Sequence, residues 1–88
     1  MNTKQLHKDA MIFAQEAHFS QRNGNYEKAF ELFEKAYNLE KQVAFYYLNK
    51  DKEPTRSILF KSAAALANNC KKYREAEKMI AFATVSIL

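Results

Sequence analysis

A motif that occurs twice in the chain constrains its fold more than any other feature. In each copy a tyrosine is followed after three residues by an alanine, after four more by a large apolar residue, and after three more by a second alanine. These spacings place all four side chains on one helical face, with alanines where a neighbouring helix must approach closely. The motif predicts the second helix of a helical hairpin, present twice. Its residues are Tyr26, Ala29, Phe33 and Ala36, then Tyr73, Ala76, Ile80 and Ala83.

Breakers between the apolar stripes divide the 88 residues into two hairpins of one domain. Apolar residues at intervals of three and four predict a first helix over 4–22. Gly24 is suited to end that helix, and Asn25 to cap the next one. No breaker then follows before Pro54, so we predict that the second helix is extended to Asn49. The predicted fold is all-α, with four helices in two antiparallel hairpins at about 4–49 and 54–86.

Composition limits the classes of protein to which the chain can belong. It is 48% hydrophobic, with one Gly, one Pro and one Cys, and its 14 basic and 10 acidic residues give a net charge of +4. This balance is typical of a compact helical protein and excludes collagen, disulfide scaffolds and disordered chains. The single cysteine, the polar N-terminal start and the lack of any apolar run near the roughly 20 residues of a membrane span predict a cytoplasmic protein.

Few residues offer catalytic or metal-binding chemistry. His7 and His18 are 11 positions apart, which is roughly 16 Å along a helix and too far for one metal ion. A single glycine cannot build a phosphate-binding loop. Cys70 is expected as a buried small residue, with a reactive thiol beside Lys71 and Lys72 as the alternative. We therefore expect no enzymatic activity, no cofactor and no metal site.

The end of the predicted second helix indicates a self-interface. Residues 43–48 are apolar on every side of the helix, and such a segment must be covered all round. Either the third and fourth helices or a second chain must supply that cover. Because four short helices offer little surface and the fourth also ends in apolar residues, a homodimer that buries both ends is the preferred alternative. The residues assigned to this self-interface are Phe45, Tyr46, Tyr47, Leu48, Phe82 and Val85.

The solvent-facing sides of the first and third helices predict a groove that binds a peptide or helix of another protein. Arg56 is assigned a polar contact, because an arginine at a helix start opposes the helix dipole and favours a carboxylate nearby. That carboxylate is Glu53 or Glu75 within the fold, or an acidic group of the partner. The candidate groove residues are Gln15, His18, Lys61 and Asn68.

A second function remains open, that of a small nucleic-acid-binding regulator. The second half of the chain is locally basic and lies close in sequence to Tyr46 and Tyr47, a combination that suits phosphate contacts and base stacking. Acidic residues are interleaved with the basic ones, so protein binding is the preferred function. The basic residues are Lys50, Lys52, Arg56, Lys61, Lys71, Lys72 and Arg74.

These hairpins resemble the tetratricopeptide repeat. The matching residues are Phe13, Ala17, Ala29, Phe33 and Ala36 in the first copy, and Phe60, Ala64, Ala76, Ile80 and Ala83 in the second. The chain departs from the repeat at Glu16, Ser20 and Ala67, and its copies are 47 residues apart where about 34 is usual. Residues 53–77 are also similar to short bacterial proteins of this type that have no assigned activity. The resemblance implies a helical-repeat fold and protein binding.

Overall fold

The computed structural model describes residues 1–50 and 52–84, which form four helices and, within those ranges, no strand. Both pairs of consecutive helices are antiparallel, since the start of one lies against the end of the next. Thr3 Oγ1 is 3.3 Å from the Tyr47 hydroxyl, and Ser57 Oγ is 3.3 Å from the Ala83 carbonyl oxygen. The predicted all-α fold of two helical hairpins is confirmed. The helices are α1 (Thr3–Arg22), α2 (Tyr26–Tyr46), α3 (Thr55–Asn69) and α4 (Tyr73–Thr84).

The two hairpin turns end their first helices in the same way. In each, an N–H group two residues beyond the helix cap donates back to a carbonyl of the last turn, which is the Schellman pattern. The residue before each donor has a left-handed backbone, with φ 78° at Gly24 and 62° at Lys71. Glycine adopts this conformation freely, whereas a lysine does so at some cost. The hydrogen bonds are Asn25 N–H to Ser20 O and Lys72 N–H to Ala67 O, each 2.8 Å.

The second helix is shorter than predicted. It has 21 residues and ends at Tyr46 rather than Asn49. The following N–H groups, of Tyr47 and Leu48, donate to carbonyls only three residues back, at 3.0 and 3.1 Å. The chain therefore tightens into turns before the polar connector begins.

The chain itself covers much of the apolar end of α2. The Phe45 ring packs edge-on against Phe60 of α3 at 5.3 Å and against Phe82 of α4 at 5.2 Å between centroids. Leu48 is half-buried against the same core. Of the two expected sources of cover, α3 and α4 supply part, while Phe45 and Tyr46 remain 37% and 41% exposed. Self-association through this end of α2 stays a prediction.

The order of the helices leaves a groove on one side of α2. Both α1 and α3 run antiparallel to α2. For α3, Glu40 contacts Ser62, whereas Phe45 further along α2 contacts the earlier residue Phe60. The two flanking helices are therefore parallel to each other, and α2 forms the floor between them. The last helix, α4, packs on the other side of α3 and reaches α2 through Glu75.

Candidate binding groove between α1 and α3

The floor of the groove is a stripe of α2 side chains at intervals of three and four residues. Every member from the first alanine to the valine is buried, and the closing tyrosine is half-buried. Small residues in this stripe let the flanking helices approach α2 closely. The stripe consists of Ala29, Phe33, Ala36, Glu40, Val43 and Tyr47.

A pocket of about 420 Å³ opens at the end of the groove where α1 and α3 begin; we call it the N-terminal pocket. Its apolar walls are Val43, Ile58 and Leu59. Ile58 is 59% exposed, which is high for an isoleucine on an inward-facing wall. The polar residues of the pocket are Thr3, Lys4, His7, Tyr47 and Thr55.

A smaller pocket of about 220 Å³ lies at the opposite end of the groove, beside the two hairpin turns; we call it the turn pocket. It contains two exposed aromatic side chains, Tyr26 at 68% and Phe30 at 38%. The groove thus has an apolar surface open to solvent at both ends. The lining residues of the turn pocket are Gln21, Tyr26, Ala29, Phe30, Phe33, Asn69 and Lys71.

Charge in these two pockets is one-sided. Lys4 and His7 line the N-terminal pocket and Lys71 lines the turn pocket, while within residues 1–50 and 52–84 no Asp or Glu lines either. The neighbouring acid, Glu40, is fully buried under His7 and already bonded. The open surface of both pockets therefore favours a partner with acidic groups next to apolar ones.

Beneath the groove, Glu40 joins three helices. Its side chain is 0% exposed, and each carboxylate oxygen has a partner: His7 Nδ1 of α1 at 2.8 Å and Ser62 Oγ of α3 at 2.7 Å. Ser62 donates its hydroxyl hydrogen, and a carboxylate oxygen can only accept from the imidazole, so His7 donates from Nδ1. These two hydrogen bonds fix the distance of α1 and α3 from the floor.

The predicted groove residues occupy different places. His18 stacks edge-on against the floor residue Phe33 at 4.9 Å between centroids. Gln15 lines a separate depression that contains residues of α1 and α2 and none of α3. Lys61 and Asn68 are exposed on α3, but each directly precedes a residue that faces the groove, so it projects about 100° away around the helix.

Arg56 makes its polar contacts within the chain. Its side chain is 2% exposed, and Nε lies 3.1 Å from Glu53 Oε1. Another guanidinium nitrogen donates to the Phe82 carbonyl of α4. The Ser57 hydroxyl, followed by the charge of Arg56, lowers the pKa of the Glu53 carboxyl. Of the acids considered, Glu53 is therefore the intramolecular partner, and Glu75 bonds elsewhere.

Two of the remaining self-interface residues, Tyr46 and Tyr47, are adjacent aromatic residues at the end of α2, and Tyr47 lies beside the N-terminal pocket. Tyr46 is 41% exposed, with its ring 5.1 Å from that of Tyr47 and 4.1 Å from Lys50 Nζ. Tyr47 itself lines the pocket. Val85 lies outside the described residues. The exposed part of the assigned self-interface within the described residues thus includes Tyr46 and Phe45, which is 37% exposed.

On a different face of α2, Glu75 of α4 forms a second polar cluster. Its Oε1 accepts from the Tyr37 hydroxyl at 2.8 Å and from Lys41 Nζ at 3.3 Å. The Tyr37 hydrogen bond, then that of Lys41, lowers the pKa of the Glu75 carboxyl. Burial and the hydrogen bond to Glu75 raise the pKa of the Tyr37 hydroxyl.

Cys70 is the buried small residue that the sequence indicates. It is 1% exposed, and its Sγ is 3.5 Å from the Ala67 carbonyl. Burial raises the pKa of its thiol, and the positive charge of Lys72 opposes that rise only in part. The alternative of an activated thiol is not supported, since activation requires a lowered pKa.

Sequence reasoning missed the residues that build the N-terminal pocket, Lys4, His7 and Ile58, and the acid beneath it. A signal for the acid is present in the sequence. Glu40 interrupts the apolar stripe of α2 at a position where the spacing requires a buried residue. A buried carboxylate needs a partner, and His7 on the neighbouring helix provides one.

Comparisons with protein-family models, curated proteins and solved structures find no match to this chain. The tetratricopeptide-like resemblance therefore remains a prediction from the sequence. None of the helices in the described part of the chain is long and apolar enough to cross a membrane. Within residues 1–50 and 52–84 there is also no group of three or more His, Cys, Asp or Glu side chains placed to hold a metal ion.

Proposed function

We propose that the protein is an interaction module whose α1–α3 groove binds a segment of a partner protein that combines apolar and acidic side chains. The observation that carries this function is the pairing of exposed apolar side chains with basic ones at both ends of the groove, with no acid lining either end in the part of the chain that the structure describes. Exposed apolar surface with a polar rim is typical of protein interfaces. The resemblance to a helical repeat favours the same function.

The length of the groove sets the size of the bound segment. The floor stripe between the pockets runs from Ala29 to Tyr47, which is roughly 27 Å at the rise of an α-helix. A partner helix of about 18 residues spans that distance. Its apolar side chains would contact Ile58 at one end and Phe30 at the other.

The test uses synthetic 18-residue amphipathic peptides with one apolar face and either a glutamate-rich or a lysine-rich polar face. Binding is measured by NMR titration of the ¹⁵N-labelled chain. We expect the acidic peptide to shift the amide signals of Ile58, Phe30 and Asn69, and the basic peptide to bind at least tenfold more weakly. Equal binding of both peptides, or shifts confined to α4, would contradict the proposal.

Two isoleucines provide a matched pair of variants. Ile58 of the N-terminal pocket and Ile80 of α4 are 59% and 45% exposed. An aspartate at either position leaves the core intact, but at Ile58 it places a negative charge and a polar group in the groove. We expect Ile58→Asp to weaken acidic-peptide binding at least tenfold and Ile80→Asp to change it less than twofold.

Self-association through the edge around Tyr46 stays a prediction with its own test. Light scattering over a range of concentrations should give twice the chain mass of 10.3 kDa. Replacing Tyr46 by Ser should return the chain to a monomer if the edge is the interface. A monomer at every concentration removes self-association and leaves the groove proposal standing.

The nucleic-acid alternative has less available surface than its basic composition indicates. Arg56 is buried, and Lys72 Nζ is 3.2 Å from Glu34 Oε2. Binding driven by phosphate contacts weakens steeply as salt rises. A random single-stranded probe that fails to bind even at low salt removes this function.

A cytoplasmic location is part of the preferred proposal, favoured by the single buried cysteine, and cell fractionation tests it.

A further inference from the structure

The geometry of His7 indicates a ligand beyond the protein partner. Its Nδ1 is engaged by Glu40, so Nε2 is the ring nitrogen left at the exposed edge of the imidazole. The His7 side chain is 44% exposed and lines the N-terminal pocket. A histidine oriented through Nδ1 by a carboxylate presents Nε2 in a fixed direction, an arrangement suited to binding a ligand with that atom.

Glu40 holds His7 in this orientation from beneath the groove. It is 0% exposed, and within the described ranges of the chain its two oxygens hydrogen-bond to His7 and Ser62. Apolar residues in its place would fill the floor without loss of hydration. A buried carboxylate retained beneath a half-exposed histidine is therefore better explained by the orientation of that histidine than by stability.

The pocket around His7 joins a cation to an apolar wall. Lys4 lies one helical turn before His7 and lines the same pocket, while Val43, Ile58 and Leu59 form its apolar surface. Its volume of about 420 Å³ is within the range of small-molecule sites, roughly 300–1,000 Å³. A single histidine with hydroxyl groups lacks the three or four ligands of a metal site.

We propose that the N-terminal pocket binds a small free carboxylate that carries an apolar group. The carboxylate oxygens accept hydrogen bonds from Lys4 Nζ and from Nε2–H of His7, whose ring carries a second proton in this complex because Nδ1 already donates to Glu40. The apolar group packs on Val43, Ile58 and Leu59. This site does not depend on the proposed protein partner, although a partner segment in the groove would cover it and would compete with the ligand.

The test is an NMR titration of the full chain with 4-phenylbutyrate, and with its neutral amide as the matched probe. We expect the carboxylate to shift the His7 ring signals and the amides of Lys4, Ile58 and Leu59. The amide probe should bind at least tenfold more weakly, since it cannot form charge-assisted hydrogen bonds. Comparable binding of the two probes overturns the proposal. So does the absence of detectable carboxylate binding at a ligand concentration of about 20 mM.

Two pairs of variants separate the pocket from nonspecific attraction to a basic protein. Lys4→Met should weaken carboxylate binding about tenfold, and Lys61→Met on the exposed side of α3 less than twofold. His7→Phe should weaken it similarly, and His18→Phe, on nearly the same face of α1, should not. Equal effects within either pair overturn the proposal. Lys4 is exposed and outside the core, so its variant remains informative if His7→Phe fails to fold.

The role of Glu40 as a positioning residue has its own readout. In the unliganded chain the ¹⁵N shifts of the His7 ring should report a proton on Nδ1. Glu40→Gln should reduce that preference and weaken carboxylate binding at least threefold, because the charge that selects the Nδ1 proton is lost. An unchanged ring spectrum with unchanged binding contradicts the assigned role.

Discussion

Two carboxylates tie α2 to its neighbours, and they differ in burial. Glu40, beneath the groove, is 0% exposed and contacts His7 and Ser62, whereas Glu75, on another face, is 31% exposed and contacts Tyr37 and Lys41. Glu75 keeps part of its hydration, so its hydrogen bonds add a small net stabilisation. Glu40 loses all of it, and its two hydrogen bonds must offset that loss. The comparison indicates that Glu75 serves stability and Glu40 serves the shape of the groove.

The largest expected effect follows from removing the buried acid. Glu40→Ala leaves a cavity in the floor and removes both hydrogen bonds, so we expect the free energy of unfolding to fall by about 3 kcal/mol. Urea denaturation at pH 7 measures it. Without the hydrogen bond from His7 to Glu40, the start of α1 should be held less firmly against α2. We expect faster amide hydrogen exchange in the first two turns of α1.

The control for this variant is Glu40→Met, which fills the same volume without a charge. Replacing a buried polar group by an apolar residue of similar shape is often neutral or stabilising. We therefore expect the free energy of unfolding to change by less than about 1 kcal/mol. His7 should nevertheless lose its fixed orientation. A loss of unfolding free energy as large as that of Glu40→Ala would show that the buried acid is needed for stability. That result would contradict the role of Glu40 in shaping the groove.

A second experiment removes one hydroxyl donor from each cluster. Ser62→Ala leaves an oxygen of the fully buried Glu40 unpaired, and we expect a loss of about 2 kcal/mol in the free energy of unfolding. Tyr37→Phe leaves Glu75 able to bind water, and we expect about 1 kcal/mol or less. Thermal and urea unfolding of both variants would test the order. Equal losses would mean that the different burial of the two acids has little energetic consequence.

Much of the fold could be predicted because it depends on local patterns. The apolar spacing of the two tyrosine motifs and the turn at Gly24 and Asn25 determine helices within a few residues of those observed. The end of α2 could not, because Tyr47 and Leu48 are helix-compatible residues and no local breaker marks the end at Tyr46. The helix ends where Phe45 packs against α3 and α4, which the sequence does not reveal. Nor could the left-handed backbone of Lys71, which the hairpin imposes on a residue with no preference for it.

The site was less predictable than the fold because it depends on which residues of different helices meet. Lys61 and Asn68 were assigned from exposure, but one position along a helix turns a side chain by about 100°. Which of two neighbouring residues, such as Lys61 and Ser62, faces the groove therefore depends on where α2 lies relative to α3. Glu40 could have been recognised from the sequence as an acid in a buried stripe. Its pairing with His7 could not, because it depends on the relative alignment of α1 and α2.

The smallest expected effect concerns pH and sharpens the description of Glu75. Its pKa is lowered in the folded state from the ordinary value of 4.5, so folding favours the ionised form. The stabilisation is fully present well above pH 4.5 and is lost progressively as the pH falls from there through the lowered folded pKa. In Glu75→Gln this contribution is absent at every pH.

We therefore expect the melting temperature of the native chain to fall more steeply than that of Glu75→Gln between about pH 5 and pH 3, so that the two curves converge in acid. Differential scanning calorimetry at a series of pH values measures both. Glu77→Gln, an exposed position on the same helix, is the matched control and should run parallel to the native chain. Parallel curves for Glu75→Gln as well would mean that its contacts with Tyr37 and Lys41 do not favour the ionised carboxylate. The half-buried Glu75 would then have no stabilising role through these contacts.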